Sequence, residues 1–398
     1  MNPPNPTAVC IIIENLPVPM DRRVWQESRV LRDAGYHVSV ICPKRGEFTL
    51  AHERLEGIEV YRYSLPEARG PLGYLLEYAW ALAAQFALAL KVYRRTHFRI
   101  IQGCNPPDTI FLVACFFKLF GVRFLFDHHD LNPELFEAKF GKKRGLFYRL
   151  VCLAERMTYR TADVSIATNE SYREVALDRG GMKPERVFVV RSTPDPAVLF
   201  RRLPDPRLKR GKKFLVAYLG VMGQQEGIDI LLESIRLMVA KRGTDETSFV
   251  LMGGGPEAPR LKKLAREMGL GSVVHFTGRV SDADLAATLS TADVCVAPDP
   301  KNPMNDKSTM NKVLEYMAFG RPVVLFDLAE GRRAAGDAAL YARPNDPADF
   351  AVQILTLLES DALREQLGQT GRRRIETDLN WGKESAELLK AYAAIMKC

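Results

Sequence analysis

Two series of short apolar runs, each run followed by a segment of helical length, constrain this chain more than any other feature. The first series occupies residues 9–14, 37–42, 59–63, 100–104, 123–127, 164–168 and 187–190. The second occupies 215–219, 249–252, 273–277, 294–297 and 323–326, at about 25-residue spacing. Continuous apolar runs suit strands buried on both faces, and intervening helices return the chain for parallel pairing. The pattern therefore predicts an α/β chain of two doubly wound, Rossmann-like domains, with ligands at the carboxyl ends of the strands. Residues 191–213 break it with four prolines, a run of basic residues and no periodicity, as a linker does. A last helix, 381–396, shows apolar residues at Leu388, Leu389, Tyr392 and Ile395.

Composition narrows the function. At 398 residues with 47% hydrophobic and 26% charged residues, the chain fits a soluble protein with two cores. The net charge of +8 suits a nucleic acid, an anionic membrane surface or a phosphorylated substrate. No basic-aromatic repeat or nucleic-acid motif accompanies it, so nucleic acid is not expected as a partner. The seven cysteines are scattered without a C-x-x-C pair and read as reduced core residues. No apolar run is long enough to cross a bilayer and the N-terminus carries no basic-then-apolar leader, which predicts a cytoplasmic protein. The first β-α turn lacks G-x-G-x-x-G, which argues against a nicotinamide or flavin.

The stretch 305–326, NDKSTMNKVLEYMAFGRPVVLF, holds a helix, a stop and a strand. Val313, Leu314, Met317 and Ala318 recur at helical spacing, Gly320 follows the helix and Pro322 cannot continue it. Ser308 is the expected N-cap, which would leave the amides of Thr309, Met310 and Asn311 open to a phosphate. Lys307 and Lys312 flank that terminus, and Glu315 stands on the second turn. The alternative for the same residues is a surface helix with scattered lysines. After 123–127 comes His128-His129-Asp130-Leu131-Asn132-Pro133-Glu134, where a doubly wound sheet puts its site. His129 and Asp130 are either site residues or part of a turn built by Asp130 and Asn132. In Asp21-Arg22-Arg23-Val24-Trp25-Gln26-Glu27, Arg22 or Arg23 faces the strand ends, or the run is a solvated helix face. The segment 71–95 is apolar and ends in Lys91, Arg94 and Arg95. It is either a helix buried against the sheet or one lying on an anionic membrane.

The runs E-Y-M-A-x-G-x-P-V-V, H-D-x-x-P-E and N-K-x-x-E-Y-M-A resemble family 4 retaining glycosyltransferases, in a subgroup acting in bacterial surface-polysaccharide synthesis. The resemblance covers nearly the whole chain. It implies the GT-B fold: two facing domains, residues 1–195 on the acceptor side and 196–379 for the nucleotide sugar, with helix 380–398 crossing back to the first. It implies that Glu315 binds the donor ribose and that His129, with Asp130, lies beside the donor sugar. The family's earlier glutamate, eight positions before Glu315, is Lys307 here. Gly220, Gly223 and Gly254 would lie in donor-side loops, and the backbone around Arg279 and Val280 would cradle the base. The arginine and lysine that neutralise the diphosphate in the family match Val221 and Glu226, so both are missing. Lys307, Lys312 and Arg279 are substitute cations, and Ser308 to Asn311 complete the donor set. The implied reaction is metal-independent, cofactor-free retaining transfer from a UDP-linked sugar to a polysaccharide or lipid-linked acceptor at the cytoplasmic face of the inner membrane. The absence of a suitably placed D-x-D motif agrees with metal independence. An epimerase of the same fold and a catalytically silent sugar-nucleotide-binding partner are the other two readings.

Overall fold

The computed structural model describes residues 7–66, 70–140, 145–194, 200–243 and 246–398, apart from the side chains of 70–75, 139 and 140. The Pro-rich start, residues 195–199 of the expected linker and the 195/196 boundary lie outside the described residues. The chain divides into two compact units, Met1–Arg191 with Glu384–Cys398, and Ser192–Lys383.

The first unit carries β1 (Ala8–Ile13), β2 (His37–Pro43), β3 (His52–Leu55), β4 (Ile58–Tyr63), β5 (Ile100–Cys104), β6 (Arg123–His128), β7 (Val164–Ala167) and β8 (Val187–Val189). Their order is β3-β4-β2-β1-β5-β6-β7-β8. Every pairing is parallel except β3 with β4. β1 is buried along its whole length, as a strand of aliphatic residues and a cysteine covered on both faces must be. β3 was not expected from the sequence. Its His52-Glu53-Arg54-Leu55 has no apolar run, and such charges on an edge discourage further strand addition.

Cys10, Ile12, Ile101, Phe124 and Phe126 face one helical layer, which supplies Val92 and Phe117 to the same core. That layer includes the helices Gly70–Thr96, Phe111–Lys118 and Leu146–Thr161. Gln102 points to the face opposite Ile101, and there its amide oxygen accepts from the Tyr392 hydroxyl. Tyr392 lies on the last helix, Trp381–Ile395, and packs edge-on against Tyr36 at 5.5 Å. The strand order reverses between β1 and β5, so the first unit's crevice opens at the carboxyl ends of those strands.

The second unit is parallel throughout, with β9 (Phe214–Leu219), β10 (Thr247–Met252), β11 (Val274–Gly278), β12 (Val294–Ala297), β13 (Val323–Phe326) and β14 (Ala339–Ala342). The order is β11-β10-β9-β12-β13-β14, with its reversal between β9 and β12. β14, Ala-Leu-Tyr-Ala, is too short and alanine-rich to announce itself in the sequence. Gly227 makes the reversal compact. Its φ is +64°, and a Cβ there would lie 2.1 Å from the Pro298 carbonyl. Only glycine lets the loop after β9 rest against the loop after β12.

Candidate functional site

In the first unit the site grows from the helix Arg22–Asp33. Asp21 caps it, accepting from the Val24 amide at 3.0 Å. The cap fixes the first turn, so Arg22 is exposed and Arg23 turns inward. The Nη1 of Arg23 donates to the Val190 carbonyl at 2.6 Å, Nη2 lies 2.8 Å from Asp127 Oδ1, and Nε lies 3.1 Å from Glu27 Oε1. Both carboxylates are fully buried. Of the two readings left open for this run, the solvated face holds for Arg22 and the inward one for Arg23.

Asp127 ends the interior of β6, and His129 follows two residues later. The Nε2 of His129 stands 2.6 Å from Asp127 Oδ2 and 3.1 Å from Arg23 Nε. One nitrogen cannot donate to the carboxylate and accept from the guanidinium together. Burial opposes charge on His129, but Asp127 outweighs it and raises the imidazole pKa, so Nε2–H donates to Asp127. For Asp127, burial works upward, yet Arg23 and His129 hold the carboxyl below its usual range. Glu27 goes the other way: burial and the Asp127 charge push it up to about 8. His129 and Asp130 are anchored through their amides, both of which donate to Asn105 Oδ1. His128 faces the core, hydrogen-bonded to the Tyr159 hydroxyl at 2.8 Å, and burial lowers its pKa to about 3. It is a structural residue.

Cys104, Asp127 and His129 offer ligand atoms within 4.8 Å of one another, a spacing a metal ion could use. The Arg23 guanidinium already donates to Asp127 at 2.8 Å and stands 3.1 Å from His129 Nε2. A cation in that place makes the trio a poor metal site.

In the second unit the site gathers at the β9/β12 reversal. The helix Asn311–Ala318 begins behind Met310, and no side chain caps it. This corrects the expectation for Ser308, whose hydroxyl instead donates back to the Met304 carbonyl at 2.8 Å. Thr309 and Met310 therefore precede the helix, and its first-turn amides are those of Asn311 and Lys312. Lys307 closes a short 3-10 turn, Asn305–Lys307, just ahead of that terminus. Glu315 stands half-buried on the second turn.

Lys312 is drawn inside. Its Nζ lies 2.5 Å from Glu226 and 2.8 Å from Asp299, above the Tyr218 ring at 5.0 Å. Burial disfavours the ammonium, but Asp299 and Glu226 prevail and raise its pKa. Burial lifts Asp299 to about 6 despite Lys312. Glu226, at a position where the family resemblance would put a lysine, is thus bound to a lysine from another element. Asn305 ties the same loops together, donating to the Gln225 carbonyl at 3.0 Å.

The remaining loops join by backbone. Met222 N donates to Gly254 O, and Gly253 N donates to Gly278 O. A Cβ on Gly253 would meet the Gly220 carbonyl at 1.9 Å, whereas one on Gly254 would meet nothing within 4 Å. Gly220 and Gly223 lie in the loop after β9, where an added Cβ would meet the side chains of Tyr218 and Gln225 respectively. Val280 packs on the core below. Arg279 is exposed beyond β11, the edge strand two places from β9, so it is not gathered at the reversal. Asp127, Glu27 and Asp299 escaped the sequence reading. For Asp127 and Asp299 the only signal is an acid in an otherwise apolar strand or just past a strand end; for Glu27 it is an acid four residues after Arg23 on one helix.

Two family models match the chain: a glycosyl transferase 4-like domain over residues 20–193, and glycosyl transferases group 1 over residues 213–360. The D-rhamnosyltransferase WbpZ of Pseudomonas aeruginosa is 30% identical over 184 residues, covering 46% of this chain and 45% of that protein. Matches to two further relatives span 63% and 59% of their own length. A phosphatidyl-myo-inositol mannosyltransferase of Mycolicibacterium smegmatis is 28% identical over 399 residues, 97% of this chain and 93% of its own. Among solved structures, Anabaena HepE in complex with UDP-glucose superposes with a TM-score of 0.73 at 14% identity, over 97% of this chain and 99% of that one.

Proposed function

The chain belongs to the family 4 glycosyltransferases of GT-B fold, and from that premise we propose that it transfers a sugar from a UDP-linked donor to a lipid-linked or polysaccharide acceptor in bacterial surface glycan synthesis. The observation that carries the reading is the β9/β12 reversal, where a helix N-terminus, Lys307, Lys312 and Glu315 share one short stretch of chain. Amides and cations there suit a diphosphate, and Glu315 suits the ribose hydroxyls. WbpZ, by its name a rhamnosyltransferase, supports sugar transfer, and HepE, solved with UDP-glucose, supports a UDP-linked donor.

Transfer is retaining and needs no metal. The leaving diphosphate is stabilised by the Asn311 and Lys312 amides and by Lys307. The ammonium of Lys312 is held between Glu226 and Asp299, and Lys307, in the turn just ahead of the helix terminus, supplies the cation for the phosphates. His129, tied to Asp127 through Nε2, presents its other edge to the donor sugar, and Asp130 is held beside it. No carboxylate of this set is placed as a nucleophile, so the acceptor attacks on the face the diphosphate leaves. The protein works at the cytoplasmic face of the inner membrane. Its contact there is peripheral, and no described helix is long and apolar enough to cross a membrane.

Incubating purified protein with a panel of UDP- and GDP-sugars tests the reading. Turnover of a UDP-sugar with retained anomeric configuration, unaffected by a chelator, is expected. Turnover of GDP-sugars alone would overturn the donor assignment. By calorimetry Lys307→Ala should weaken UDP about tenfold or more while sparing uridine, as expected for one lost charge-assisted contact.

A further inference from the structure

The helix Leu146–Thr161 is amphipathic the wrong way round for a helix that only covers a sheet. Its inner face is polar: Glu155 pairs with Arg179 at 2.7 Å, Thr158 donates to the Asp108 carbonyl, and Tyr159 bonds His128. Its outer face holds the large apolar side chains. Leu146 is 71% exposed, Phe147 66%, Leu150 50% and Leu153 53%. Arg149, Arg156 and Arg160 are exposed along the same helix, while its one acid, Glu155, is buried.

The apolar exposure continues onto the next helix. Lys118, at the end of Phe111–Lys118, donates to the Thr161 carbonyl at 2.8 Å, so the two helices lie side by side. Leu112, Leu119 and Phe120 are exposed there. In Gly70–Thr96, by contrast, the exposed positions between Trp80 and Lys91 are Ala83 and Ala87. That helix, on which the sequence centres the membrane reading, exposes large apolar side chains at Leu76, Tyr78 and Trp80, well before its basic end.

We propose that Leu146–Thr161 is the membrane-contacting element. It lies flat on an anionic lipid surface, with Leu146, Phe147, Leu150 and Leu153 at the acyl boundary and its three arginines among the lipid phosphates. The charge pattern selects lipid: an apolar stripe on a helix whose exposed charges are all arginines complements an anionic bilayer. The inference rests on the peripheral-membrane reading above, and its test does not require transfer activity.

Flotation with phosphatidylcholine vesicles, with and without phosphatidylglycerol, is the experiment, with UDP calorimetry as the check on folding. Wild type should float with the anionic vesicles and lose binding as salt rises. Leu150→Glu/Leu153→Glu should reduce the bound fraction at least tenfold with UDP affinity unchanged. Arg149→Gln, Arg156→Gln and Arg160→Gln should each weaken anionic-vesicle binding about fivefold. If Lys91→Ala/Arg94→Ala abolishes flotation while the Leu150/Leu153 variant floats normally, the contact belongs to the other helix and the proposal fails. It also fails if wild type floats with neither vesicle, or if the apolar face instead drives self-association that Leu150→Glu abolishes. Absence of sugar transfer would leave the flotation result standing.

Discussion

Each unit buries a cation between two carboxylates where its strand order reverses, and the two constructions differ. In the first unit Arg23 is bonded to Asp127, to Glu27 on its own helix and to a backbone carbonyl, and both acids are fully buried. A guanidinium cannot lose its proton and holds several partners in fixed geometry. In the second, Lys312 is a point charge between Asp299 and Glu226, the latter 15% exposed. The arginine cluster locks a fold and passes its order outward to His129. The lysine cluster balances charge beside a helix terminus and stays within reach of solvent.

That contrast predicts unequal damage. Arg23→Met leaves buried Asp127 and Glu27 without their cation and should cost about 3–5 kcal/mol. Lys312→Met should cost less, because Glu226 is partly solvated, whereas Asp127 is fully buried and held in its charged form. Urea unfolding at pH 7 ranks the two; equal losses would remove the distinction. His129→Ala comes next. It should reduce transfer about 10²-fold. Because the lost hydrogen bond is to a buried carboxylate, the melting temperature should also fall, reflecting about 1.5–3 kcal/mol. This differs from a residue that only touches sugar, for which stability would not change.

The pH dependence is the smallest effect. A raised acid stabilises below its unfolded pKa and loses that contribution as pH climbs through its folded pKa. For Asp299 the loss ends near pH 6; for Glu27 it continues to about 8. His129, also raised, adds its loss above pH 6.5. Asp127, held low, protects only above the usual carboxylate range and loses its contribution as pH falls. The first unit should therefore keep losing stability between pH 6 and 8 while the second has levelled off. Buried Glu14 and Glu155, each pushed up to about 7, add to the same trend. Glu27→Gln should flatten part of that fall in denaturation curves taken from pH 6 to 9.

The sheets were legible because a strand buried on both faces is written mostly in aliphatic residues, as β1, β12 and β13 are. β3 was hidden because an exposed edge can be written in charges. Contacts that depend on the third dimension were not legible. Nothing local says that Arg23 turns inward while Arg22 does not, or that Lys312 and Glu226 meet across 86 positions. Ser308 misled for a local reason: a serine ahead of an apolar run can cap the helix or bond a carbonyl four residues back, and here it does the latter. The glycine-rich loops were visible, but that Gly227 must be glycine follows only from the Pro298 carbonyl against it.

The central claim is that the helix Asn311–Ala318 holds the nucleotide, with Glu315 on the ribose. Calorimetric titration of UDP into wild type and Glu315→Gln tests it most directly. A carboxylate hydrogen bond to a hydroxyl is worth about 1.5–3 kcal/mol, so the variant should bind UDP about tenfold or more weakly at unchanged melting temperature. Equal affinity in the two proteins would contradict the assignment and remove Glu315 from the donor site.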